Sequence, residues 1–371
     1  MMLLLLGSVV LGETFIERPQ WWLRGGHATS ALASNNGPHH HSSSTRNATI
    51  FEPTASSLLA HNEAEYSIWL RRRAEAVLKN AAFDRQGKYR LGSASHYIEG
   101  VDLHWLWDLF QPAWSCPERT RLGRISDGGK VLCSVRRLQA MPRCTVAGFG
   151  IGTPTELSFE AELLQRTNCS IVLADPTVDL HAVRTHPTWR PMFEGASAGR
   201  LRLNGVALAP TDGSITLNVA QRGPVALPAW SLERHMRQAG VSHVAVLKVD
   251  VEGAEFAVVK RWASTSPRTS GDTLKSKPTC CSFLMSVCSN LIVAVLRRID
   301  EIVVEIHRND ACVEGSHGFA FPTKTECDVR YVFELFDALE THGFRIFSQE
   351  PNLINGRRVA EFSLVKQGLF V

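Results

Sequence analysis

The stretch CTVAGFGIGTPTELSFEAELLQRTNCSIVLADP, residues 144–176, decides the fold of this chain. It reads as an apolar strand, a glycine-rich turn, a helix, a second apolar strand and then an acid, Asp175. Thr153, Pro154 and Glu156 fit a capping box with proline at the first helical position, so we expect the helix to begin directly after Gly152. This order of elements is typical of the ligand-binding half of an α/β sheet.

Three glycines precede the predicted helix. At Gly148, Gly150 and Gly152 a side chain would keep a ligand away from the backbone, and exposed N–H groups there favour an anionic or carboxylate-bearing group. Asp175 ends the next strand, where an acid can accept hydrogen bonds from both hydroxyls of a ribose. Together with Phe149, which lies within the turn, these residues predict a site for a nucleoside-containing cofactor.

The spacing of these glycines separates two classes of cofactor. A dinucleotide fingerprint needs GxGxxG, but Thr153 stands where the third glycine belongs. NAD is therefore disfavoured, and a nicotinamide-dependent oxidoreductase is only a distant alternative. The closer GxGxG spacing resembles the first motif of the S-adenosylmethionine-dependent methyltransferases.

Strands and helices alternate from residue 144 onward. Several strand candidates are apolar throughout, as expected for a parallel sheet that is covered on both faces. Two short strand-like runs, FRIFSQ and AEFSLVKQ, follow the last helix and predict a terminal antiparallel pair. The strand candidates are Thr145–Phe149, Ser170–Ala174, Leu201–Leu208, Val244–Val249 and Ile299–Ile306, and the helix candidates between them are residues 154–166, 230–238 and 252–262.

Further motifs extend the resemblance to methyltransferases. The segment VLKVDVEGAEFAVVKRW resembles the KIDVEGAE segment of FkbM-type methyltransferases, and FGIG, LSFE, ADP, DGGK and VVEIH together resemble the methyltransferase-like 24 family. The resemblance runs from about Asp127 to the C-terminus. It implies a class I methyltransferase fold, Rossmann-like, with a seven-stranded, mainly parallel sheet and helices on both faces. It also implies S-adenosylmethionine as cofactor and methyl transfer, for which an oxygen atom of a small molecule or sugar is the favoured acceptor.

One departure concerns the cofactor site. An acid often stands two residues before the first glycine of the methyltransferase turn, and here that position is Gly148. The contact to the amino group of the cofactor is therefore unassigned.

Four ionisable residues follow two of the predicted strands. Asp250 and Glu252 follow the fourth strand, and Glu305 and His307 end the fifth, at the edge where open α/β sheets bind ligands. One of them could act as general base for a hydroxyl acceptor, or the carboxylates could hold a divalent cation that does the same. The alternative is structural: Asp250 and Glu252 cap the next helix, and Glu305 satisfies a loop. The sequence does not assign a metal.

The chain divides into three predicted parts. Residues 1–61 combine an apolar N-terminus with a low-complexity leader for which we expect disorder, and residues 62–143 predict a helical extension with Asn62 as its N-cap. Residues 144–371 form the methyltransferase domain. An atypical segment, residues 264–296, interrupts it and is either a surface insertion or a translated intron. The intron is favoured, since such connections are usually short.

Composition limits the partners. The 371 residues are 44% hydrophobic, enough for a substantial core, and the net charge of +4 arises from scattered Lys and Arg. No dense basic stripe is present, so we expect no nucleic-acid partner. A non-catalytic protein that keeps the fold for binding or scaffolding is the rival hypothesis, because the atypical segment could disable the site.

The compartment stays open at this level. Nine cysteines include no CxxC pair, which argues against a zinc ribbon, and their odd number argues against complete disulfide pairing. The apolar N-terminus resembles a cleaved signal sequence but lacks preceding basic residues, and it is too short to span a bilayer, so we expect no firm membrane association. Sequons at Asn47 and Asn168 would suit a secretory route; the alternative is the cytoplasm.

Overall fold

The computed structural model describes residues 55–84, 104–125, 128–152, 157–219, 223–263, 295–307, 329–352 and 359–370. The helices are α1 Ala55–Asp84, α2 His104–Asp108, α3 Val135–Ala140, α4 Ser158–Arg166, α5 Leu180–Thr185, α6 Arg190–Phe193, α7 Leu232–Gln238, α8 Glu255–Ala263 and α9 Val329–Thr341. The strands are β1 Arg119–Leu122, β2 Lys130–Cys133, β3 Thr145–Phe149, β4 Ser170–Ala174, β5 Leu201–Asn204, β6 Ala207–Leu208, β7 Gly213–Val219, β8 Gly223–Trp230, β9 Val246–Val249, β10 Glu301–His307, β11 Phe344–Pro351 and β12 Val359–Lys366.

Seven strands form the central sheet, in the order β11-β12-β10-β9-β3-β4-β5. β3 pairs in parallel with both β4 and β9, whereas β12 runs antiparallel to β10 and β11. The predicted mainly parallel sheet and terminal antiparallel pair are confirmed. The chain moves outward from β3 to β5 and then returns to β9 on the other side of β3. This reversal opens a crevice at the carboxyl ends of β3 and β9.

Helices and apolar side chains cover both faces of the sheet. Val246 and Leu247 are consecutive in β9, yet they belong to different core clusters, because successive side chains of a strand point to opposite faces. Both are completely buried. The apolar strand sequences therefore mark a sheet enclosed on both sides, as predicted.

Several element boundaries differ from the predictions. α1 begins at Ala55, so Asn62 is not an N-cap; it lies within the helix, where its side-chain amide donates to the Ser115 carbonyl at 3.0 Å. α4 begins at Ser158 rather than directly after Gly152, and the predicted capping-box residues 153–156 lie outside the described residues. The predicted strand 201–208 is divided into β5 and β6, which belong to different sheets.

The predicted helical extension contains strands and joins the core. β1 and β2 form an antiparallel pair within it. The Tyr66 hydroxyl of α1 donates to Glu340 of α9 at 2.6 Å, and Arg73 forms a buried ion pair with the same carboxylate. α1 is therefore fixed to α9 by contacts that are distant in sequence.

The atypical segment and the leader are described only in part. Residues 264–294 and 1–54 lie outside the described residues. The last two residues of the predicted insertion, Val295 and Leu296, are buried in the core, so the segment ends earlier than its predicted boundary. Among the described helices, none combines the length and hydropathy needed to cross a bilayer.

Two disulfides link described cysteines. Cys116 pairs with Cys133 of β2, and Cys144 pairs with Cys169, which joins the residues just before β3 and β4. The sequence analysis had not assigned any pair, because irregular spacing does not reveal which cysteines meet.

The buried Glu301 at the start of β10 predicts a pH-dependent stability. One carboxylate oxygen accepts from the Cys133 N–H at 2.8 Å, and burial raises the pKa of Glu301 to about 8. Because the pKa is higher in the folded than in the unfolded state, this group stabilises the fold fully at acidic pH, and its contribution falls as pH rises towards 8. We expect Glu301→Gln to raise the free energy of unfolding at pH 8.5 by about 2–4 kcal/mol, measured in urea.

The control for this prediction is Glu65→Gln, which changes an exposed carboxylate of α1. It should shift stability by less than about 0.5 kcal/mol at any pH. The gain from Glu301→Gln should shrink to about 1 kcal/mol at pH 5, because that pH is close to the ordinary pKa of a glutamate in the unfolded chain. An equal gain at pH 5 and pH 8.5 would contradict the assignment of the effect to ionisation.

Candidate active site

Close packing of two strands explains the glycines at the crevice. Gly150 has a φ of +88°, and a Cβ atom there would lie 1.6 Å from the carbonyl oxygen of Asp250. A Cβ at Gly148 would lie 2.5 Å from the Leu173 side chain. Gly150 is therefore required by the packing of the protein itself, because the overlap is with backbone, whereas the Leu173 side chain could move to admit a Cβ atom at Gly148. The sequence analysis had attributed both glycines to the approach of a ligand.

The amide groups of the turn are also engaged within the protein. The Gly150 N–H donates to the Ala174 carbonyl at 3.1 Å, and the Ile151 N–H donates to Asp175 Oδ2 at 2.9 Å. These two groups are not exposed for an anion, contrary to expectation. Gly152, with a φ of +64°, is exposed at the end of the described turn. The Phe149 ring is buried and meets the His235 ring edge-on at 4.8 Å.

Asp175 connects the glycine turn to the end of β4. Its Oδ1 accepts from the backbone N–H and the hydroxyl of Thr177, at 2.8 and 2.6 Å, while Oδ2 accepts from Ile151. A carboxylate offers about four acceptor positions, and the described residues fill three of them, which leaves one for a ligand. One acceptor position can bind one ribose hydroxyl, whereas the sequence suggested that Asp175 binds both.

A cavity of about 130 Å³ lies at this crevice. Gly150, Asp175, Asp250 and Glu252 line one side. The other side is apolar and comes from β6 and β7, elements of a three-stranded sheet that the sequence analysis did not predict. The segment GSITLNV, residues 213–219, alternates polar and apolar residues, and this pattern could have predicted a strand of that sheet. β6 and β7 contribute Ala207, Leu208, Ile215 and Leu217 to the lining.

The structure brings the four predicted ionisable residues together. His307 Nε2 lies 3.5 Å from Glu252 Oε2 and 3.9 Å from both Asp250 Oδ1 and Glu305 Oε1. Glu252 has a φ of +54°, a conformation that is uncommon outside glycine. Neither Glu305 nor His307 is among the residues that line the cavity, so they lie behind Asp250 as seen from it.

Lys130 completes this cluster and was missed as a site residue. Its ammonium contacts Glu361 and lies 3.5 Å from Glu305 Oε2 and 3.8 Å from Asp250 Oδ2. The side chain is 1% exposed. From the sequence, the DGGK motif is part of the resemblance and is interpreted either as a segment that closes over the cofactor or as a simple turn. The available signal was a lysine that begins the otherwise apolar strand β2, which packs against β10 and β12.

Glu255 and Asn352 were missed as well. Glu255 is fully buried, and its carboxylate accepts from the Gly253 N–H at 2.8 Å and from the His307 N–H at 2.7 Å. These bonds fix the turn after β9 to the end of β10. The Asn352 side chain donates to Glu305 Oε1 at 2.9 Å. Both residues therefore position other members of the cluster.

The electrostatics of the cluster assign protonation states. Burial disfavours ionisation of Asp250, but the charges of Lys130 and Lys248 outweigh it and lower its pKa. Burial and the neighbouring Asp250 raise the pKa of Glu305 to about 8. Burial also disfavours the charged form of His307, yet the nearby carboxylates raise its pKa to about 10. At neutral pH Asp250 is ionised, whereas Glu305 and His307 carry protons, so His307 is not a general base there.

The donor atoms of Asp250, Glu305 and His307 lie within 4.8 Å of one another, the spacing of a metal site. The chemistry of this set does not fit a divalent cation. The buried ammonium of Lys130 already lies against both carboxylates, and a metal would need His307 to lose its proton. Lys130 therefore supplies the positive charge that a metal would otherwise bring.

A family model described as a methyltransferase domain matches residues 70–183. The resemblance to methyltransferases is confirmed. The matched range begins inside the predicted extension and includes the glycine turn and Asp175. No curated protein matches the sequence significantly. The seven-stranded sheet, with helices on both faces, is the class I methyltransferase fold that the sequence predicted.

Solved methyltransferase structures are among the proteins with similar backbones. The methyltransferase FkbM from Methylobacillus flagellatus KT has a TM-score of 0.35 and 9% identity, over 60% of this chain and 43% of that one. This chain thus spans less than half of that protein. A fibrillarin pre-rRNA processing protein from Methanococcus jannaschii has a TM-score of 0.32 and 10% identity, over 62% and 71%. The antibiotic-resistance methyltransferase Kmr has a TM-score of 0.28 and 13% identity, over 67% and 100%.

Proposed function

We propose that this protein is an S-adenosylmethionine-dependent methyltransferase that acts on an oxygen atom of a small molecule or sugar. The observation that carries this proposal is the position of Asp250. It is ionised at neutral pH and lines the same cavity as Gly150 and Asp175, at the crevice where ligands of open α/β sheets bind. A carboxylate in that place can accept the proton of an acceptor hydroxyl.

The residues of the cavity fit the proposed cofactor. The apolar wall formed by β6 and β7 suits a nucleobase, and the free acceptor position of Asp175 suits a ribose hydroxyl. The carboxylates of Asp250 and Glu252 favour a cationic ligand. When bound, S-adenosylmethionine supplies an electrophilic methyl group on a sulfonium, which carries such a positive charge.

The cluster behind the cavity prepares Asp250 for its role. Lys130 stabilises the carboxylate, and Glu305 beside it holds a proton at neutral pH. Asp250 would orient the acceptor hydroxyl and take its proton, and the bound cofactor would supply the methyl group and leave as S-adenosylhomocysteine. Hydroxyl acceptors fit this arrangement, because a carboxylate orients them by accepting their hydrogen bond.

A non-catalytic binding protein is the second candidate. It is favoured by the same ion pair, because an ammonium that stabilises the Asp250 carboxylate also weakens it as a base. Turnover decides between the two. Release of S-adenosylhomocysteine with a hydroxyl-bearing acceptor would exclude the non-catalytic protein, whereas tight cofactor binding without turnover on any acceptor pool would support it.

The proposed base predicts a selective loss of turnover. Asp250→Asn keeps the size of the side chain but removes most of its basicity, so we expect transfer to fall about a hundredfold or more. Cofactor affinity, measured by calorimetry, should fall much less than turnover, by less than about tenfold, because Glu252 still offers a carboxylate to a cationic ligand. Asp108→Asn, at an exposed position of α2, is the matched control and should retain full turnover. A parallel loss of affinity and turnover in Asp250→Asn would assign Asp250 to cofactor binding or structure instead.

The proposed ribose contact predicts a loss of affinity. Asp175→Ala removes a charged acceptor, whose hydrogen bonds are worth about 1.5–3 kcal/mol each, so S-adenosylmethionine affinity should fall about tenfold or more. Thr177→Val removes only the hydroxyl bond to Oδ1 and should leave affinity nearly unchanged. Calorimetry below the unfolding temperature of each variant gives both values. Normal binding by Asp175→Ala would contradict the nucleoside site.

A further inference from the structure

Asn168 lies on the surface, in the short connection between α4 and β4. It is exposed and begins the sequon Asn168-Cys169-Ser170. The connection precedes β4 and therefore lies at the amino edge of the parallel sheet, whereas the cavity lies at the carboxyl edge. A large group attached to Asn168 would not cover the cavity.

The backbone on both sides of Asn168 is held in place. The Arg200 guanidinium donates to the Thr167 carbonyl at 2.9 Å and to the Cys169 carbonyl at 3.3 Å. Cys169 is completely buried and is disulfide-bonded to Cys144. The neighbours of Asn168 thus point into the protein or are bonded to it, while Asn168 itself is exposed. The folded chain can therefore carry a modification there without loss of packing.

The disulfides are an independent observation about the compartment. Cys116–Cys133 and Cys144–Cys169 are two pairs between residues that are 17 and 25 positions apart. Disulfides form and persist in oxidising environments such as the lumen of the secretory route, and they are rare in the cytosol. Asparagine in a sequon receives its glycan in that same lumen.

We propose that Asn168 is a site of N-linked glycosylation. The donor is an oligosaccharide linked through a diphosphate to a membrane polyprenol. The side-chain nitrogen of Asn168 forms a bond to C1 of the first sugar, the bond between C1 and the phosphate oxygen breaks, and the lipid diphosphate leaves with the bonding electrons. The amide loses one proton, and no oxidant or reductant takes part.

The test uses the full chain, expressed in cultured animal cells and recovered from lysate and medium. Peptide N-glycosidase treatment in H2¹⁸O should convert Asn168 to ¹⁸O-labelled Asp, detected by peptide mass spectrometry. Non-reducing digests should contain Cys144 linked to Cys169. An unlabelled Asn168 peptide overturns the proposal, whether the cysteines are linked or reduced. This measurement needs no variant and so does not depend on the folding of one.

Variants then assign the modification to the sequon. Peptide N-glycosidase should increase the gel mobility of the unaltered chain, because it removes the glycan. Asn168→Gln and Ser170→Ala should each lack the glycan at residue 168 and show a correspondingly smaller shift. Ser170→Thr preserves the sequon and should show the full shift. Asn47→Gln removes the other sequon, so that any gel shift that remains comes from a glycan elsewhere in the chain. If both Asn168→Gln and Ser170→Ala show the full gel shift on glycosidase treatment, the assignment of the glycan to Asn168 is overturned.

Discussion

Gly150→Ala is expected to abolish stable folding. The added methyl group would lie 1.6 Å from the carbonyl oxygen of Asp250, and the φ of +88° is strained for any residue with a Cβ atom. The overlap is with backbone, so no side-chain rotation can relieve it, and β3 would have to separate from β9 in the middle of the sheet. We expect a loss of about 4 kcal/mol or more in the free energy of unfolding, measured in urea by circular dichroism.

Gly240→Ala is the matched control. Gly240 follows α7 with a φ of +66°, and a Cβ atom there would meet nothing within 4 Å. This variant has the backbone strain without the overlap, so its free energy of unfolding should fall by only about 1–2 kcal/mol. The difference between the two variants measures the cost of the overlap at the crevice. Equal losses would show that β3 and β9 do not approach as closely at this point as the structure indicates.

Lys130→Met should produce the second large effect. The substitution preserves most of the apolar stem but leaves Asp250, Glu305 and Glu361 without their buried counter-ion. Removing one partner of a buried ion pair typically costs about 3–5 kcal/mol, because the remaining charge is uncompensated. The loss should be smaller at acidic pH, because the pKa of Asp250 rises once Lys130 is gone, so that Asp250 can take up a proton and then needs no counter-ion. Urea unfolding at pH 5 and pH 8 measures both values.

Two further variants test the origin of this loss. Lys366→Met removes a half-buried ammonium that donates to the Leu296 carbonyl at 2.8 Å, and it should cost about 1 kcal/mol. Adding Glu361→Gln to Lys130→Met removes one of the uncompensated carboxylates and should recover about 1 kcal/mol or more. If the double variant is no more stable than Lys130→Met alone, lost packing rather than charge is the cause.

The same cluster connects stability to the proposed chemistry. Lys130 lowers the pKa of Asp250, which keeps the carboxylate ionised beside the cavity in spite of its burial. A substitution of Lys130 would therefore change both the fold and the state of the proposed base. The cluster is thus a shared element of the core and of the site, and this explains why its polar residues are buried so deeply.

The errors of the sequence analysis have physical causes. Gly150 was attributed to a ligand alone, because a one-dimensional pattern shows a missing side chain but not the atom that would collide with it. The collision at Gly150 involves Asp250, a hundred residues away in the sequence. His307 was a candidate general base, because the sequence does not show which charges surround it. In the structure the nearby carboxylates raise its pKa in spite of its burial, so it carries a proton at neutral pH.

The sequence by itself determined the parallel strands of the central sheet, the antiparallel pair at its end, and the edge at which Asp175, Asp250, Glu305 and His307 lie. These features follow from local patterns, because hydrophobic periodicity reports burial and parallel strands end at a common edge. Only the tertiary structure decided that Lys130 enters the cluster, which cysteines pair, and which acids are ionised. Each of these depends on distances between residues far apart in the chain, and pKa values depend on the burial and charges that such contacts create.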